Sequence, residues 1–516
     1  MINCEINMQN SKLAGYVEKF NASDHETIKQ AVSNRQALDW MLEHIPYFEC
    51  PDKTIEETYY FRWWVFRKHI KQTPEGIIFT EFLPDVHWAG PYNSINSASG
   101  HHIAEARWLR GGGKFTDDYI RFWFRGSGNV FSYSCWMIMA VYEYCLVKND
   151  FVIAVELLDD FVRYYERIEQ TNLTRYRLFW SHDDRDAMEM SISGNGLRPT
   201  LNSYMFANAY AISRIALHAG LTLLSDEYRN KAELLKENIN NLLWDEDAGF
   251  YKVIPQTGKD DAIKSFLFAE IPAENNVMEA IGYIPWSFNI PERRHGGAWK
   301  YLSDERYFGA EYGPMTAERG HPSCMNICDS HECLWNGPSW PFATTQTING
   351  MIYALKLGQT NCLSKADFIN QMRTYANCHF RTREDGTRIN WLDENLNPFT
   401  GEWLSRRILR DWGWPESKGG YERGKDYNHS AFCDLIIRGI CGVDLCAENK
   451  VTINPLLPEG LWDYFLLDKL PYKNHELTIM YDSSGDRFNK GKGLTVFVDG
   501  VPAKVSKGLE QVEVRF

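Results

Sequence analysis

Two acidic segments, 186–191 and 391–401, carry the carboxyl groups that acid–base chemistry requires. The first contains Asp186 and Glu189, and the second contains Glu394. Cleavage of a glycosidic bond needs one carboxyl that protonates the leaving oxygen and another that activates water or attacks carbon. The two segments therefore predict a pair of catalytic carboxyls.

The segment 391–401 predicts the catalytic base. Pro398 and Gly401 place Glu394 in a loop before a turn, where site residues gather. The neighbouring Asp393 would point elsewhere if this segment is extended. We therefore expect Glu394 to be the base, with a solvated loop acid as the competing interpretation.

The segment 186–191 predicts the catalytic acid. A proton donor needs a raised pKa, and the neighbours Met188, Met190 and Trp180 can remove water from Glu189. We expect Glu189 to be the acid, and Asp186 is the alternative. Asp183 and Asp184 are typical of surface or helix-capping acids.

Tryptophans between the two acidic segments predict a surface for a sugar ring. Trp335 and Trp340 flank Asn336 in the segment 335–341, and indole faces stack on the apolar faces of sugars. Core packing is the competing interpretation, because aromatic side chains are often simply buried.

Two earlier segments, 80–88 and 100–110, are dense in polar and aromatic groups. Such groups suit sugar hydroxyls or a substrate carboxylate. The alternative is a buried network that holds helices together. The substrate-binding candidates from these segments are Trp88, His101, His102, Glu105, Arg107 and Trp108.

The sequence predicts no metal and no cofactor. His321, Cys324, Cys328, His331 and Cys333 are close together, but their spacing is irregular and lacks paired Cys-x-x-Cys units. Packed thiols are the favoured interpretation. The chain also lacks a Gly-Lys-Ser/Thr phosphate loop and a Gly-x-Gly-x-x-Gly turn after a strand.

Composition excludes several classes of partner. The 516 residues carry 55 basic and 68 acidic side chains, a net charge of −13, which argues against nucleic acid. No segment reaches the roughly 18 apolar residues of a membrane helix. We expect a carbohydrate to be the partner, and the sequence leaves the oligomeric state open.

The cysteines predict a reducing compartment. Of the 12 cysteines, most lie in apolar helix-like segments, which is typical of buried free thiols. The N-terminus lacks a basic region followed by an apolar one, so it is no secretory signal as it stands. We therefore expect a cytoplasmic protein, or a periplasmic or secreted one if a signal was removed.

Hydrophobic periodicity predicts a mainly helical fold between residues 51 and 444. Apolar residues recur at helical spacing in 151–165, 201–220, 342–357 and 431–440, and eleven or twelve segments pass this test. Long loops alternate with short ones. This pattern predicts an (α/α)6 toroid with its site at one end, and a helical solenoid is the alternative.

The chain changes character on either side of the helical region. Residues 1–50 are polar and mixed and suggest a lead-in that includes a strand. From 445 to 516, alternating segments at 451–453, 476–481, 494–498 and 511–516 predict a small β-sandwich. Asp499-Gly500 is a hairpin-turn signal.

The motifs together resemble inverting (α/α)6-barrel glycosidases of the clan of trehalase and family 63, which includes processing α-glucosidase I and mannosylglycerate hydrolase. Residues 335–341 resemble that clan's Trp-Arg-Gly-Pro-x-Trp motif, with Asn336 in place of arginine. Residues 394–401 resemble Glu-x-Tyr-Asn-Pro-x-Thr-Gly, whose glutamate is the base. Residues 445–516 resemble the terminal domains of α-L-rhamnosidases.

The resemblance assigns further roles by position. Residues 188–191, followed by 198–202, resemble the clan's general-acid segment before a helix that begins Asp-Leu-Asn. It places Glu189 where the clan has aspartate, and it adds Arg198 and Asn202 as substrate-binding candidates. The order and spacing of the motifs agree over residues 180–440.

The sequence thus favours an exo-acting, inverting glycoside hydrolase that releases a terminal sugar from a small oligosaccharide or glycoside. In such an enzyme the two carboxyls lie about 6.5–9.5 Å apart. A glycoside phosphorylase or sugar isomerase on the same barrel is the first alternative. A non-catalytic carbohydrate-binding protein is the second.

Overall fold

Six helical segments form a closed inner ring in the computed structural model, which describes residues 2–327 and 331–516, the side chains of residues 2–8 aside. Each segment contacts the next, and the last contacts the first. The ring therefore closes on itself, as the sequence predicts. Its segments are Ser99–Ala106, Met137–Lys148, Pro199–His218, Ala280–Phe288, Pro341–Lys356 and Cys433–Leu435, which continues as Ile436–Ile440.

Six further segments alternate with these along the described chain and form the outer layer. In Leu158–Asn172 the buried side chains lie on one stripe, whereas nearly all of Pro199–His218 is buried. A one-sided apolar stripe suits an outer helix, and an apolar surface all round suits an inner one. The outer segments are Lys53–Lys68, Gly113–Phe124, Leu158–Asn172, Thr222–Leu242, Arg293–Tyr301 and Lys365–Asn377.

Two inner segments and one outer segment depart from regular α-helix. Ala280–Phe288 and Arg293–Tyr301 are 3₁₀-helices, and the former contains Pro285, which removes a backbone donor. Ile436–Ile440 is a π-helix. Helical periodicity predicts the last of these, within 431–440, but does not distinguish a π-helix from an α-helix.

The connections alternate in length as predicted. Those that leave an inner segment are short: 107–112, 149–157, 219–221, 289–292 and 357–364. Those that enter one are long: 69–98, 125–136, 173–198, 243–279, 302–340 and 378–432. Because every long connection leads to the N-terminal end of an inner segment, the long loops gather at one end of the ring.

The N-terminal residues differ from the predicted lead-in. They begin with the helix Ile2–Ser23, which buries Leu13, Val17 and Phe20 against the helix Lys53–Lys68. Among its residues 9–23 only these three are buried, four and three positions apart, so its polar composition concealed it. The expected strand is Tyr47–Glu49, and it pairs with Tyr464–Tyr472 of the C-terminal sheet.

The C-terminal β-sandwich contains a five-stranded antiparallel sheet and a two-stranded one. Asp499 and Gly500, at φ 51° and 79°, form the predicted hairpin turn. The large sheet has the order Tyr47–Glu49, Tyr464–Tyr472, His475–Asp482, Gly493–Val498 and Val501–Ser506. The small sheet pairs Lys450–Ile453 with Val512–Arg515.

Shorter elements complete the described structure. The remaining α-helices are Ala37–His44, Val152–Glu156 and Leu404–Asp411. The 3₁₀-helices are Asn34–Gln36, Pro91–Asn93, Asp184–Asp186, Phe268–Glu270 and Glu416–Lys418. The strands are Ile70–Thr73, Gly76–Phe79, Trp180–Ser181, Gly196–Leu197, Trp244–Asp245, Phe250–Tyr251, Ile254–Pro255, Phe380–Thr382 and Arg388–Asn390.

Within residues 2–327 and 331–516, the helices are all too short or too polar to span a lipid bilayer.

The last inner helix depends on one buried carboxyl. Glu105 accepts hydrogen bonds from the backbone nitrogens of Phe432, Cys433 and Asp434, at 2.6, 3.0 and 3.0 Å. We expect Glu105→Ala to lower the free energy of unfolding by about 2 kcal/mol, because it leaves buried N–H groups without an acceptor. Urea denaturation measures the change. Glu270→Ala, at an exposed site, is the control, and equal losses in both would contradict the capping role.

Candidate active site

A cavity of about 310 Å³ opens where the long connections meet. Five of the six long connections contribute to its wall, and the connection 243–279 does not. Its lining combines carboxyl, aromatic and cationic groups. The lining includes Glu81, Trp88, Glu189, His331, Glu332, Cys333, Trp340, Lys418, Arg423, Tyr427 and His429.

Glu189 lines this cavity and is partly exposed to it. Ala187 and Met190, at φ 59° and 65°, adopt the left-handed conformation on either side of it, a strain that is typical of functional sites. Burial raises the pKa of Glu189 to about 8, and the negative charges of Glu394 and Glu81 add to the effect. Glu189 is therefore protonated at neutral pH.

Glu394 is completely buried beside the cavity, in contact with two groups that line it. The guanidinium of Arg423 donates two hydrogen bonds to its oxygens, at 2.8 and 2.9 Å. The thiol of Cys333 donates a third, at 3.4 Å. The carboxylate thus has a bidentate cationic partner, the strongest arrangement available to it.

Arg423 bridges two buried acids. Besides Glu394 it contacts Glu332, whose other oxygen pairs with Lys418, each at 2.8 Å. Two acids and two bases therefore alternate along the wall, and their charges cancel. Neither Arg423 nor Lys418 was predicted from the sequence. Two adjacent glycines, 419 and 420, both have positive φ in the loop that carries these residues. This glycine pair is the local sequence signal that could have indicated the loop.

Two tryptophans, Trp340 and Trp88, lie in the cavity lining. Trp340 lines the cavity, and Trp335 stacks behind it with ring centroids 4.5 Å apart and planes at 10°. Trp88 also lines the cavity, with its ring centroid 5.1 Å from the guanidinium carbon of Arg423. Trp88 is partly exposed, whereas Trp335 and Trp340 are each only 2% exposed, which favours the core-packing interpretation for these two.

Asp186 lies outside the cavity lining, in a buried ion pair. Arg198 donates to it at 2.6 Å, and Thr200 also bonds to it. Asn202 bonds to the backbone of Phe179 and Arg198. These contacts correct the interpretation of Asp186 as alternative acid and of Arg198 and Asn202 as ligand-binding groups, because their polar atoms hold the loop and helix together.

The segment 100–110 also lies outside the cavity lining, and its buried contacts correct its interpretation as a hydroxyl-binding segment. His101 packs between the rings of Trp136 and Phe342. His102 bonds to Tyr119 and to the backbone oxygen of Asn428, while Arg107 and Trp108 bond to Asp434. With Glu105 as a helix cap, these residues form the buried network that was the alternative interpretation.

Asn336, which the sequence predicted to bind substrate, has a structural role instead. Its side-chain nitrogen donates to the backbone oxygens of Ser323 and Asn326, at 3.2 and 2.7 Å, and it does not line the cavity. It fastens the loop 321–327 to the tryptophan segment. Asp393, next to Glu394, is buried near Arg406 and does not line the cavity.

Of the cysteines and histidines at 321–333, His331 and Cys333 line the cavity. In the part of the chain that the structure describes, no three metal-ligating side chains converge. Cys328 lies outside the described residues.

Three cavity groups, Glu81, Tyr427 and His429, went unrecognised individually in the sequence. Glu81 belongs to the segment 80–88, which was singled out for its polar and aromatic density. Tyr427 and His429 precede the last inner helix, but nothing in their local pattern distinguishes them from core residues. Only the ring closure brings them next to Glu81.

A protein-family model matches most of this chain. The model of the mannosylglycerate hydrolase MGH1-like glycoside hydrolase domain matches residues 91–430, about two thirds of the chain. The chain belongs to this family. The MGH1-like domain contains Glu189 and Glu394, and the segment with Glu81 and Trp88 precedes the match.

Solved structures share the fold of this MGH1-like protein. One, named sialidase, is 37% identical with a TM-score of 0.88, over 98% of this chain and 44% of the other. A family 78 rhamnosidase of Bacillus sp. GL1 is 12% identical with a TM-score of 0.52, over 88% of this chain and 41% of the other. The latter likeness shows the fold alone.

A curated relative is similar over a shorter stretch. An uncharacterized protein of Borreliella burgdorferi (strain ATCC 35210 / DSM 4680 / CIP 102532 / B31) is 30% identical over 135 residues. The matched stretch is 25% of this chain and 28% of that protein. The chain thus spans less than half the length of this relative and of the sialidase-named structure in the matched regions.

The charge network predicts a large effect at Arg423. We expect Arg423→Met to lower the free energy of unfolding by about 3–5 kcal/mol, because it leaves buried carboxylates without their cation. Chemical denaturation measures the loss. The double variant Arg423→Met/Glu394→Gln should regain part of it, because one uncompensated charge is then removed. Identical stabilities of the single and double variants would refute the pairing.

Proposed function

We propose that this protein is an exo-acting, inverting glycoside hydrolase that releases a terminal sugar from a small oligosaccharide or glycoside. The observation that carries the proposal is the contrast between two carboxyls at one cavity. Glu189 is protonated and has no cationic partner in the described residues, whereas Glu394 has Arg423. Carboxyls whose environments differ in this way are suited to separate acid and base roles.

Glu189 serves as the acid. Its raised pKa keeps a proton available at neutral pH, and its position on the cavity wall lets it reach a leaving-group oxygen. As the bond to the sugar breaks, the proton moves to the leaving oxygen and Glu189 becomes a carboxylate.

Glu394 serves as the base. Its oxygen that accepts from Cys333 is next to the cavity lining, because Cys333 itself lies there. When the Cys333 side chain rotates away, a water replaces its thiol as the hydrogen-bond donor to this oxygen. The water then loses its proton to Glu394 as it attacks the sugar carbon from the face opposite Glu189, which inverts the anomeric centre.

The cavity suits a sugar ring as substrate and favours water over phosphate as the second reactant. Trp88 lines the cavity and is partly exposed, so it presents an aromatic face suited to a sugar ring. The cations at the cavity, Arg423 and Lys418, are already paired with Glu394 and Glu332. A phosphate dianion would have to compete with these acids, so hydrolysis is favoured over phosphorolysis.

The first test is hydrolysis of a glycoside panel, without phosphate, by wild type and Glu394→Gln. The panel includes α-glucosides, α-mannosides, α-rhamnosides, α-galactosides, arabinofuranosides and, because one similar structure is named sialidase, α-sialosides. We expect release of one sugar by wild type and at least a 100-fold lower rate in the variant, because water activation is lost.

Released sugar is measured by chromatography, and its first-formed anomer by NMR. Glu270→Gln, at an exposed site outside the cavity lining, is the carboxyl-to-amide control and should retain activity. Equal rates in wild type and Glu394→Gln would exclude Glu394 as base. Release that appears only with added phosphate would identify a phosphorylase instead.

The second test distinguishes acid from base. Because the acid must be protonated, kcat/KM should be maintained below about pH 8 and fall as the pH rises through the pKa of Glu189. Glu189→Gln should abolish this fall. It should also retain more activity on nitrophenyl glycosides than on alkyl glycosides, because a nitrophenolate leaves without protonation. An unchanged high-pH fall in Glu189→Gln would assign the acid to another group.

A further inference from the structure

Two buried polar side chains of the cavity lining lack the partners that their chemistry demands. Glu81 is 4% exposed and accepts hydrogen bonds from Ser97 and Tyr427, at 2.8 and 2.7 Å. No lysine or arginine in residues 2–327 and 331–516 forms an ion pair with it. His429 is 2% exposed, and neither of its ring nitrogens has a hydrogen-bond partner among the described residues.

These two groups face each other. His429 Nε2 lies 3.8 Å from Glu81 Oε1, too far for a hydrogen bond. Burial lowers the pKa of His429 well below its usual range, so the imidazole is neutral and offers one donor and one acceptor. Burial also raises the pKa of Glu81 to about 7. The pair is therefore suited to uncharged polar groups.

Neighbouring contacts hold the pair in place. The side-chain nitrogen of Asn428 donates to the backbone oxygen of Thr80, at 3.1 Å. The backbone nitrogen of Asn428 donates to the backbone oxygen of Glu81, at 3.0 Å. The His429 ring packs on Phe342 and Tyr427, with centroids 4.5 and 4.7 Å apart. A pre-ordered donor and acceptor beside a cavity are what hydroxyl recognition requires.

We propose that His429 and Glu81 form the subsite that recognises the terminal sugar, through two adjacent hydroxyl groups of a neutral pyranose ring. This inference rests on the proposed function and adds its specificity-determining residues. A hydroxyl both donates and accepts, so one sugar hydroxyl can accept from His429 while its neighbour donates to Glu81. A buried, unpaired imidazole is costly, and a bound diol supplies its missing partner.

Binding is measured without turnover, so that a failure of catalysis does not obscure it. The Glu189→Gln protein is titrated calorimetrically with methyl pyranosides of glucose, mannose, rhamnose and galactose. His429→Leu, added to this background, should weaken the tightest sugar about 10- to 100-fold, because both hydrogen-bonding nitrogens are lost. His429→Gln, which keeps a donor and an acceptor, should restore most of the affinity.

His295→Leu is the matched control. His295 is equally buried, also has an unpaired Nε2, and lies outside the cavity lining. It should leave the affinity unchanged. In the His429→Leu protein, removal of the recognised hydroxyl from the sugar should cost no further affinity, whereas with His429 present the same deoxygenation should cost about 10-fold or more.

Equal affinity of the His429→Leu and parent proteins would overturn the subsite, while the proposed hydrolase would stand on its own assay. Equal losses in His429→Leu and His295→Leu would also overturn it, because they would indicate a general packing effect. Absence of binding by all four pyranosides would exclude a neutral pyranose as the ligand. The hydrolysis panel would then decide separately whether the chain acts on another glycoside.

Discussion

Closure of the inner helical ring is the constraint on which the rest of the structure depends. The inner helices are buried on nearly all sides, so their surfaces have little room for unpaired polar groups. Polar side chains therefore collect where the helices begin and long connections meet. Glu189 and Glu81 line one cavity from two such connections, and Glu394 lies buried beside it on a third; each is far from the others in sequence.

At that cavity, the presence or absence of an ion pair distinguishes the three carboxyls. All three are surrounded by protein, but only Glu394 receives a guanidinium. Glu189 and Glu81 lack such a partner in the described residues, and burial raises the pKa of both. Arg423 therefore differentiates three otherwise similar acids. Its further contact with Glu332 and Lys418 fixes the guanidinium, so the difference is built into the wall.

The sequence predicted what depends on local pattern. Helix positions, the alternation of loop lengths, the C-terminal strands and the turn at Asp499 follow from periodicity and turn chemistry. Glu189 lies in the cavity lining, and its role as acid stays a proposal. The sequence did not predict the partners of polar residues, because these come from distant segments. Arg107 pairs with Asp434, and Arg198, which suited a ligand, pairs with Asp186.

Position in the ring explains why residue type alone gave the wrong role for the segment 100–110. Its polar groups are as dense as those of the segment 80–88, but its helix is part of the inner ring, so its side chains meet other helices. The segment 80–88 instead lies in a long connection that enters the ring and so borders the cavity. His102 links the two environments, because its bond to Asn428 holds the chain that carries His429. A buried network behind the cavity thus fixes the side chains that line it.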